Sequence, residues 1–356
     1  MKRLMVLSIS LVLIFVSVLL LLEASYRAYK FYKYGRAMAR ELEKPGYPLV
    51  KPLGPRDRQE YTLKPGSSFE SDNGISYKIN SKGLRDYEYG YAKESGTYRI
   101  VALGDSYMFG WGVNLEDSYP KRLERILNGK YPGRKFEVIN VSVYGYNTAQ
   151  EFELLKREGM KYDPDLVILG FFFNDGEPQY VMPRDPSLEH EGTGIWFFEF
   201  VKFRLNILIK KLSGREDIFP LRREEYSEHF WDGFRIKNLL YKKDGCLSAL
   251  DGIRGFLGER GVGFLVVMFP SFEYSADDET IPADGYGNYK IINTAVKDFC
   301  AEKNIRVFDL YDTFVGMLAV DVKEKAVGHI HLNERGYMIS AEATARYLDE
   351  SGIIPE

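Results

Sequence analysis

Cysteine and histidine are scarce in this chain, with two and four copies in 356 residues. So few cysteines exclude a disulfide-built scaffold and a multi-thiolate metal centre. Cys246 and Cys300 both fall in helical patterns that suit buried thiols, and their spacing settles no disulfide. The histidines stand at unrelated spacings, so no metal cluster assembles from them. No internal repeat is present. An excess of positive charge is missing too: 48 Lys/Arg stand against 51 Asp/Glu. Residues 1–44 carry eight Lys/Arg and three Asp/Glu, a net of +5, which leaves the remainder at −8. An acidic soluble portion excludes nucleic acid as the expected partner.

What is present is a globular composition, 45% hydrophobic, 15% aromatic and 28% charged, enough for one large or two ordinary domains. Met5 to Leu22 contains no charge, and at helical rise eighteen residues cover about 27 Å, close to a bilayer core. The competing reading is a cleaved signal peptide. Its apolar region is usually shorter, and Leu22-Glu23-Ala24 is a poor small-residue cleavage site. An uncleaved single-pass anchor is therefore expected, with 1–40 as anchor and juxtamembrane segment. The mixed aromatic and basic run Tyr26 to Arg36 suits the headgroup layer. Basic residues on both sides leave the orientation open.

Residues 41–60 hold four prolines and many charges and read as a linker. Tyr61 to Tyr91 alternates apolar and polar residues around glycines, as in Ile75-Ser76-Tyr77-Lys78-Ile79-Asn80-Ser81-Lys82-Gly83-Leu84-Arg85-Asp86. With the linker it forms a segment over 41–97, a small β prelude covering the first strand of the main domain, 98–356. There strands at 99–103, 136–141, 165–171, 262–269 and 305–310 alternate with helices at 117–129, 148–159, 246–260, 287–303 and 335–349. That rhythm predicts an α/β fold with a mostly parallel five-stranded sheet covered on both faces. The exception is about 176–245, an aromatic-rich stretch too long for a structureless loop and read as a helical insertion or cap.

Four stretches fall at the carboxyl edge of this sheet, where open α/β sheets place their ligands. Ile100 to Leu103 runs into Gly104-Asp105-Ser106, followed by Gly110 and Gly112. Strand two leads to Tyr144-Gly145-Tyr146-Asn147-Thr148, strand three to Phe173-Asn174-Asp175, and the last helix is preceded by Gly328-His329-Ile330-His331-Leu332-Asn333. Acyl transfer needs a hydroxyl nucleophile, a base within hydrogen-bond reach and donors aimed at the developing oxyanion. Ser106 fits the nucleophile and His331 the base. The amides of Ser106 and Gly145, with the Asn174 side chain, fit the donors. Asp105 is read as bonding amides near its turn, and Asp175 as anchoring the loop that presents Asn174.

In these blocks the chain resembles the SGNH (GDSL-type) hydrolases: Gly104-Asp105-Ser106 with Gly110, Gly145, Asn174-Asp175 and His331 follow in the family's order over about 98–348. The resemblance implies a flavodoxin-like three-layer α/β/α sandwich, Ser106 attacking an ester, and no cofactor. The prelude Ile-Asn-Ser-x-Gly-Leu-Arg is similar to that of membrane-anchored members linked to acyl groups on cell-surface polysaccharides. That implies a membrane-anchored esterase acting on acyl, chiefly acetyl, esters of a carbohydrate, with its soluble domain extracytoplasmic. An O-acyltransferase on the same site, or a non-catalytic glycan-binding subunit, are the alternatives. One departure matters. The family's last block is Asp-x-x-His, and Gly328 stands at the Asp position. Asp321 or Glu324 is expected to substitute, or a backbone carbonyl holds the ring and leaves a Ser–His dyad. Taking His329 as the base is no better, since Ala326 then stands at the Asp position.

Overall fold

The computed structural model describes residues 49–53, 59, 61–71, 73–176, 245–270, 272, 280–281, 289–323 and 331–354, with isolated positions between 10 and 32. Those isolated positions are helical and form a unit separate from the rest. Among the described residues no helix is long and apolar enough to cross a membrane. The span expected at Met5 to Leu22 lies partly outside them, and so does almost all of the insertion expected at 176–245.

Four short strands open the main body: β1 (Val50–Pro52) pairs with β2 (Tyr61–Leu63) and β3 (Ser68–Glu70) with β4 (Ser76–Lys78), both antiparallel. Five parallel strands follow: β5 (Thr97–Gly104), β6 (Lys135–Ser142), β7 (Leu166–Phe171), β8 (Gly263–Met268) and β9 (Arg306–Asp309). Each coincides within two residues with an expected strand. Their order is β6-β5-β7-β8-β9, the doubly wound arrangement whose direction reverses between β5 and β7. The middle strands are continuous apolar runs because helices cover both faces; Ile100, Val101, Val167 and Ile168 are completely buried.

The helices are α1 (Ser106–Phe109), α2 (Tyr119–Lys130), α3 (Thr148–Arg157), α4 (Cys246–Gly258), α5 (Tyr289–Glu302), α6 (Tyr311–Phe314), α7 (Ala319–Val322) and α8 (Glu334–Glu350). Helix α2 begins two residues later than its expected start, because Pro120 occupies the first turn, where its missing N–H costs nothing. Asn147 and Gln150 cap α3 reciprocally. Helix α8 packs on α2, and α3 packs on α4. Cys246 and Cys300 are buried free thiols.

The segment before β5 does more than the expected covering of one strand. Asp86 and Lys121, both buried, pair at 2.9 Å, and the Asp86 carboxylate also accepts from Asn140 N at 2.7 Å. Arg99, on β5, donates from Nη2 to Gly90 O at 2.9 Å and to Ala92 O at 3.1 Å. The 61–92 segment is thereby tied to β5, β6 and α2. The same segment also contacts the loops at the carboxyl edge, as described next.

Candidate active site

Register places the site. Gly104, the last residue of β5, lies beside Ser142 of β6 and Gly170 of β7, so the loops leaving these strands share one rim at the switch point. Both glycines are required by packing. A Cβ on Gly104 would sit 2.5 Å from Met108 Cγ and one on Gly170 would sit 2.6 Å from it. Met108, at 0% exposure, fills the space between the two strand ends and seats the one-turn helix α1 directly on them.

Ser106 begins α1. Asp105 is its N-cap and accepts from Tyr107 N at 2.9 Å. At the other end, Gly110 adopts the left-handed conformation (φ 79°) that closes such a helix. Ser106 N–H lies in the first turn, where backbone donors have no intrahelical partner.

His331 Nε2 lies 2.8 Å from Ser106 Oγ. The residues that follow the histidine are closely held. Leu332 bridges to Lys323, the Asn333 side chain accepts from Gly336 N at 2.9 Å, and Asn333 Nδ2 donates to Asp321 O and Lys323 O, each at 3.1 Å. Gly336 allows this approach, since a Cβ there would come within 2.3 Å of Val322 O. The Tyr107 and Trp111 rings stand 5.3 and 6.5 Å from the imidazole. Burial lowers the His331 pKa from 6.5 to about 4, because desolvation disfavours the imidazolium. At neutral pH the ring is therefore a neutral base.

The other expected donors occupy the neighbouring loops. Gly145 has φ 76° and is exposed, in a turn where Tyr146 N donates to Val143 O at 3.2 Å. Asn174 sits in the single turn Phe173–Gly176, and its Oδ1 is buried without a hydrogen-bond partner. That turn is anchored by Asp175, whose carboxylate accepts from Phe172 N at 2.7 Å and from Thr148 Oγ1 at 3.0 Å.

Beneath these loops lies a set of buried acids that the sequence did not announce as a group. Burial raises Asp105 to about 6 and raises Asp175 and Glu151 well above their usual range. The charge of Asp105 adds to the rise of Asp175, and those of Asp175 and Asp105 add to the rise of Glu151. Both Glu151 carboxyl oxygens are buried without partners. Protonated, Glu151 avoids the large cost of a buried bare charge. The only local signal was its position on the inward face of a capped helix. Among the described residues, no three His, Cys, Asp or Glu side chains are arranged to hold a metal.

Of the two candidate substitutes for the missing Asp, Asp321 is directed elsewhere. Its half-exposed carboxylate lies 3.4 Å from Arg335 Nη1. Glu324, Gly328 and His329 lie outside the described residues. Sequence reasoning also passed over Arg85, Tyr61 and Tyr77, which hold the rim loops. Arg85 Nη1 and Nη2 donate to the carbonyls of Phe109, Gly110 and Val113, Tyr61 Oη donates to Tyr144 O at 2.7 Å, and Tyr77 Oη accepts from Gly112 N at 2.9 Å. All three are in the segment that was read as a prelude.

A model of the GDSL-like lipase/acylhydrolase family matches residues 102–339. No curated protein matches the sequence. Among solved structures, the lipase/acylhydrolase from Enterococcus faecalis is 14% identical, with 71% of this chain and 96% of that one covered and a TM-score of 0.42. The acetyl xylan esterase AlAXEase is 14% identical over 70% of this chain and 99% of its own, at a TM-score of 0.39. A two-domain esterase active on acetylated mannans is 13% identical over 73% of this chain and 51% of its own, at 0.42. The family assignment rests on the sequence match alone.

Proposed function

The chain belongs to the GDSL-like lipase/acylhydrolase family and is a carboxylic ester hydrolase, and from that premise we propose a serine esterase that works through Ser106 and His331. The observation that carries this reading is the 2.8 Å separation of His331 Nε2 from Ser106 Oγ. His331 takes the hydroxyl proton as Oγ adds to the ester carbonyl. The oxyanion accepts from Ser106 N–H, Gly145 N–H and the Asn174 side-chain amide. The imidazolium then protonates the leaving alcohol, and an acyl group remains on Ser106. Water, activated by the same imidazole, releases the acid. A sugar hydroxyl in place of water makes the same intermediate an O-acyltransferase.

The acyl group in this proposal is short, chiefly acetyl, and is carried on a carbohydrate. Trp111 and Tyr144, half-buried rings tilted 53° to each other with centroids 5.2 Å apart and Trp111 beside His331, offer aromatic faces against which a sugar ring can pack. Membrane attachment through Met5 to Leu22 and an extracytoplasmic esterase domain belong to the same proposal. Their support is the uncharged run and the aromatic and basic residues after it.

The test is labelling by a serine-directed fluorophosphonate together with hydrolysis of p-nitrophenyl acetate. Both should be lost in Ser106→Ala, and His331→Ala should lower turnover by at least about 10³-fold. Ser106-independent labelling and hydrolysis in folded protein would overturn the assignment. A mass-spectrometric assay on an acetylated oligosaccharide separates released acetate from acetate passed to a second sugar.

A further inference from the structure

Arg85 lies outside the matched family segment, yet it holds the backbone that follows the nucleophile. Its side chain is 0% exposed. Nη1 donates to Phe109 O at 2.9 Å and Gly110 O at 2.5 Å, while Nη2 donates to Val113 O at 2.6 Å and Ser76 O at 3.3 Å. All four acceptors are neutral carbonyls. The guanidinium also sits 4.3 Å from the Tyr77 ring centroid and 5.2 Å from that of Phe109. Among the described residues no carboxylate pairs with it; burying a cation in that way is costly, and the desolvation lowers even this group to about 10. A chain that keeps such a residue needs what only a rigid fork of charged donors provides: several carbonyls held at once in fixed relation.

The carbonyls it holds lead straight back to Ser106. Gly110 N donates to Ser106 O at 3.1 Å and Trp111 N donates to the same oxygen at 3.0 Å. A one-turn helix has too few internal bonds to be stable by itself, so the placement of Ser106 depends on what grips the loop after it. Gly110 makes room for the grip, since a Cβ there would meet Ser118 Cβ at 2.5 Å and Arg85 Nη1 at 3.1 Å. Tyr77 adds a second hold on the same loop through Gly112 N at 2.9 Å.

We propose that Arg85 is a positioning residue for ester hydrolysis: by fixing the Phe109, Gly110 and Val113 carbonyls it sets the backbone that holds Ser106 in line with His331. Residues 61–86 are then part of the catalytic unit and not a spacer ahead of it. This inference rests on the reading of Ser106 as nucleophile. A displacement of about 1 Å at a reacting atom costs on the order of 100-fold, and a positioning role predicts that the loss falls on turnover.

The experiment measures kcat and KM for p-nitrophenyl acetate, fluorophosphonate labelling rate and thermal melting in full-chain Arg85→Met, Arg85→Lys, Tyr77→Phe and Ser106→Ala. Tyr89→Phe, which loses a bond to Glu124 in the same segment, serves as the control for lost stability. Expected are a kcat loss of roughly 100-fold for Arg85→Met, about 10-fold for Arg85→Lys, whose ammonium cannot span the fork, and a few-fold for Tyr77→Phe. KM should stay within about threefold, labelling should slow in step with kcat, and Tyr89→Phe should keep its kcat at an equal or larger loss of Tm. An Arg85 variant that is folded at the assay temperature and keeps kcat overturns the proposal, as does a loss matched by the folded fraction. If neither Arg85 variant folds, Tyr77→Phe decides, and an unchanged kcat there overturns it. An active Ser106→Ala would instead overturn the nucleophile assignment, whereas an inactive Ser106→Ala beside fully active Arg85 variants defeats only this inference.

Discussion

His331 Nε2 and Ser106 Oγ approach to 2.8 Å across 225 residues of chain. The imidazole is buried by the aromatic rings around it, and that burial, with the resulting neutrality, governs how the pair should respond to pH.

The first prediction concerns that response. With its pKa lowered by burial to about 4, His331 stays unprotonated far below the usual 6.5. The acid limb of kcat/KM should therefore have its midpoint near pH 4, with nearly full activity at pH 5.5. The stability term has a definite sign. Between pH 6.5 and 4 the unfolded chain binds the proton that the folded chain refuses, so the fold loses stability as pH falls through that window and gains nothing further above it. A kcat/KM profile with its acid limb at 6.5 or higher would contradict the burial argument.

Asp321 carries the second prediction. Its carboxylate faces Arg335 at 3.4 Å and is half exposed, so it is not turned toward the imidazole. Asp321→Asn should leave kcat/KM within about twofold of wild type and cost no more than about 0.5 kcal/mol of stability, the usual size of an exposed ion pair. A loss of several hundredfold, with the fold intact, would instead make Asp321 the missing partner of His331.

Glu151 carries the third. Its side chain is completely buried, both oxygens are unpartnered, and its pKa is raised well above 4.5 by burial and by the charges of Asp175 and Asp105. An acid held more tightly protonated in the folded state makes the fold less stable as pH rises from its unfolded pKa through the raised folded one. Glu151→Gln supplies a neutral side chain of the same shape and removes that dependence. Urea unfolding should show little difference near pH 4.5 and an advantage for the variant of about 1 kcal/mol or more at pH 7.5. A variant less stable than wild type at pH 7.5 would mean that Glu151 works as a carboxylate.

The fourth prediction concerns Gly145. Its φ of 76° strains any side chain, and a Cβ would meet Tyr61 Oη at 3.0 Å. Gly145→Ala should destabilise the chain by about 1–2 kcal/mol. It should also lower kcat by about 10- to 100-fold, because the amide proposed for the oxyanion moves with the turn. Measured kcat and thermal melts of the folded variant check both; an unchanged kcat removes this amide from the mechanism.

Much of the fold was legible because its cause is local. The runs Ile100–Leu103 and Leu166–Phe171 are apolar because both their faces are covered; the first turns at Gly104-Asp105-Ser106, and the second passes through Phe172-Phe173 to Asn174-Asp175. Asn147 and Asn333 mark helix starts by their own chemistry, each accepting from the amide three residues on. Ser106, Gly145, Asn174 and His331 could be named in order because each follows a strand or precedes a helix at the carboxyl edge.

Arg85 was not legible in this way. Leu84-Arg85-Asp86 reads only as part of a small β prelude, and no periodicity distinguishes an arginine in solvent from one buried against four carbonyls. The destination of Asp321 was equally hidden, since spacing alone allowed it to reach His331.

By itself, then, the sequence determined the alternation of strands and helices, the rim on which the site stands and the residue types at that rim. Hydrophobic periodicity and capping act over a few residues and are written in them. The tertiary structure alone decided the 2.8 Å contact between Ser106 and His331, the burial that makes the imidazole a weak base and Glu151 a neutral acid, and the enlistment of Arg85. Those properties depend on which distant groups exclude water from one another, and that is settled only when the strands take their places in the sheet.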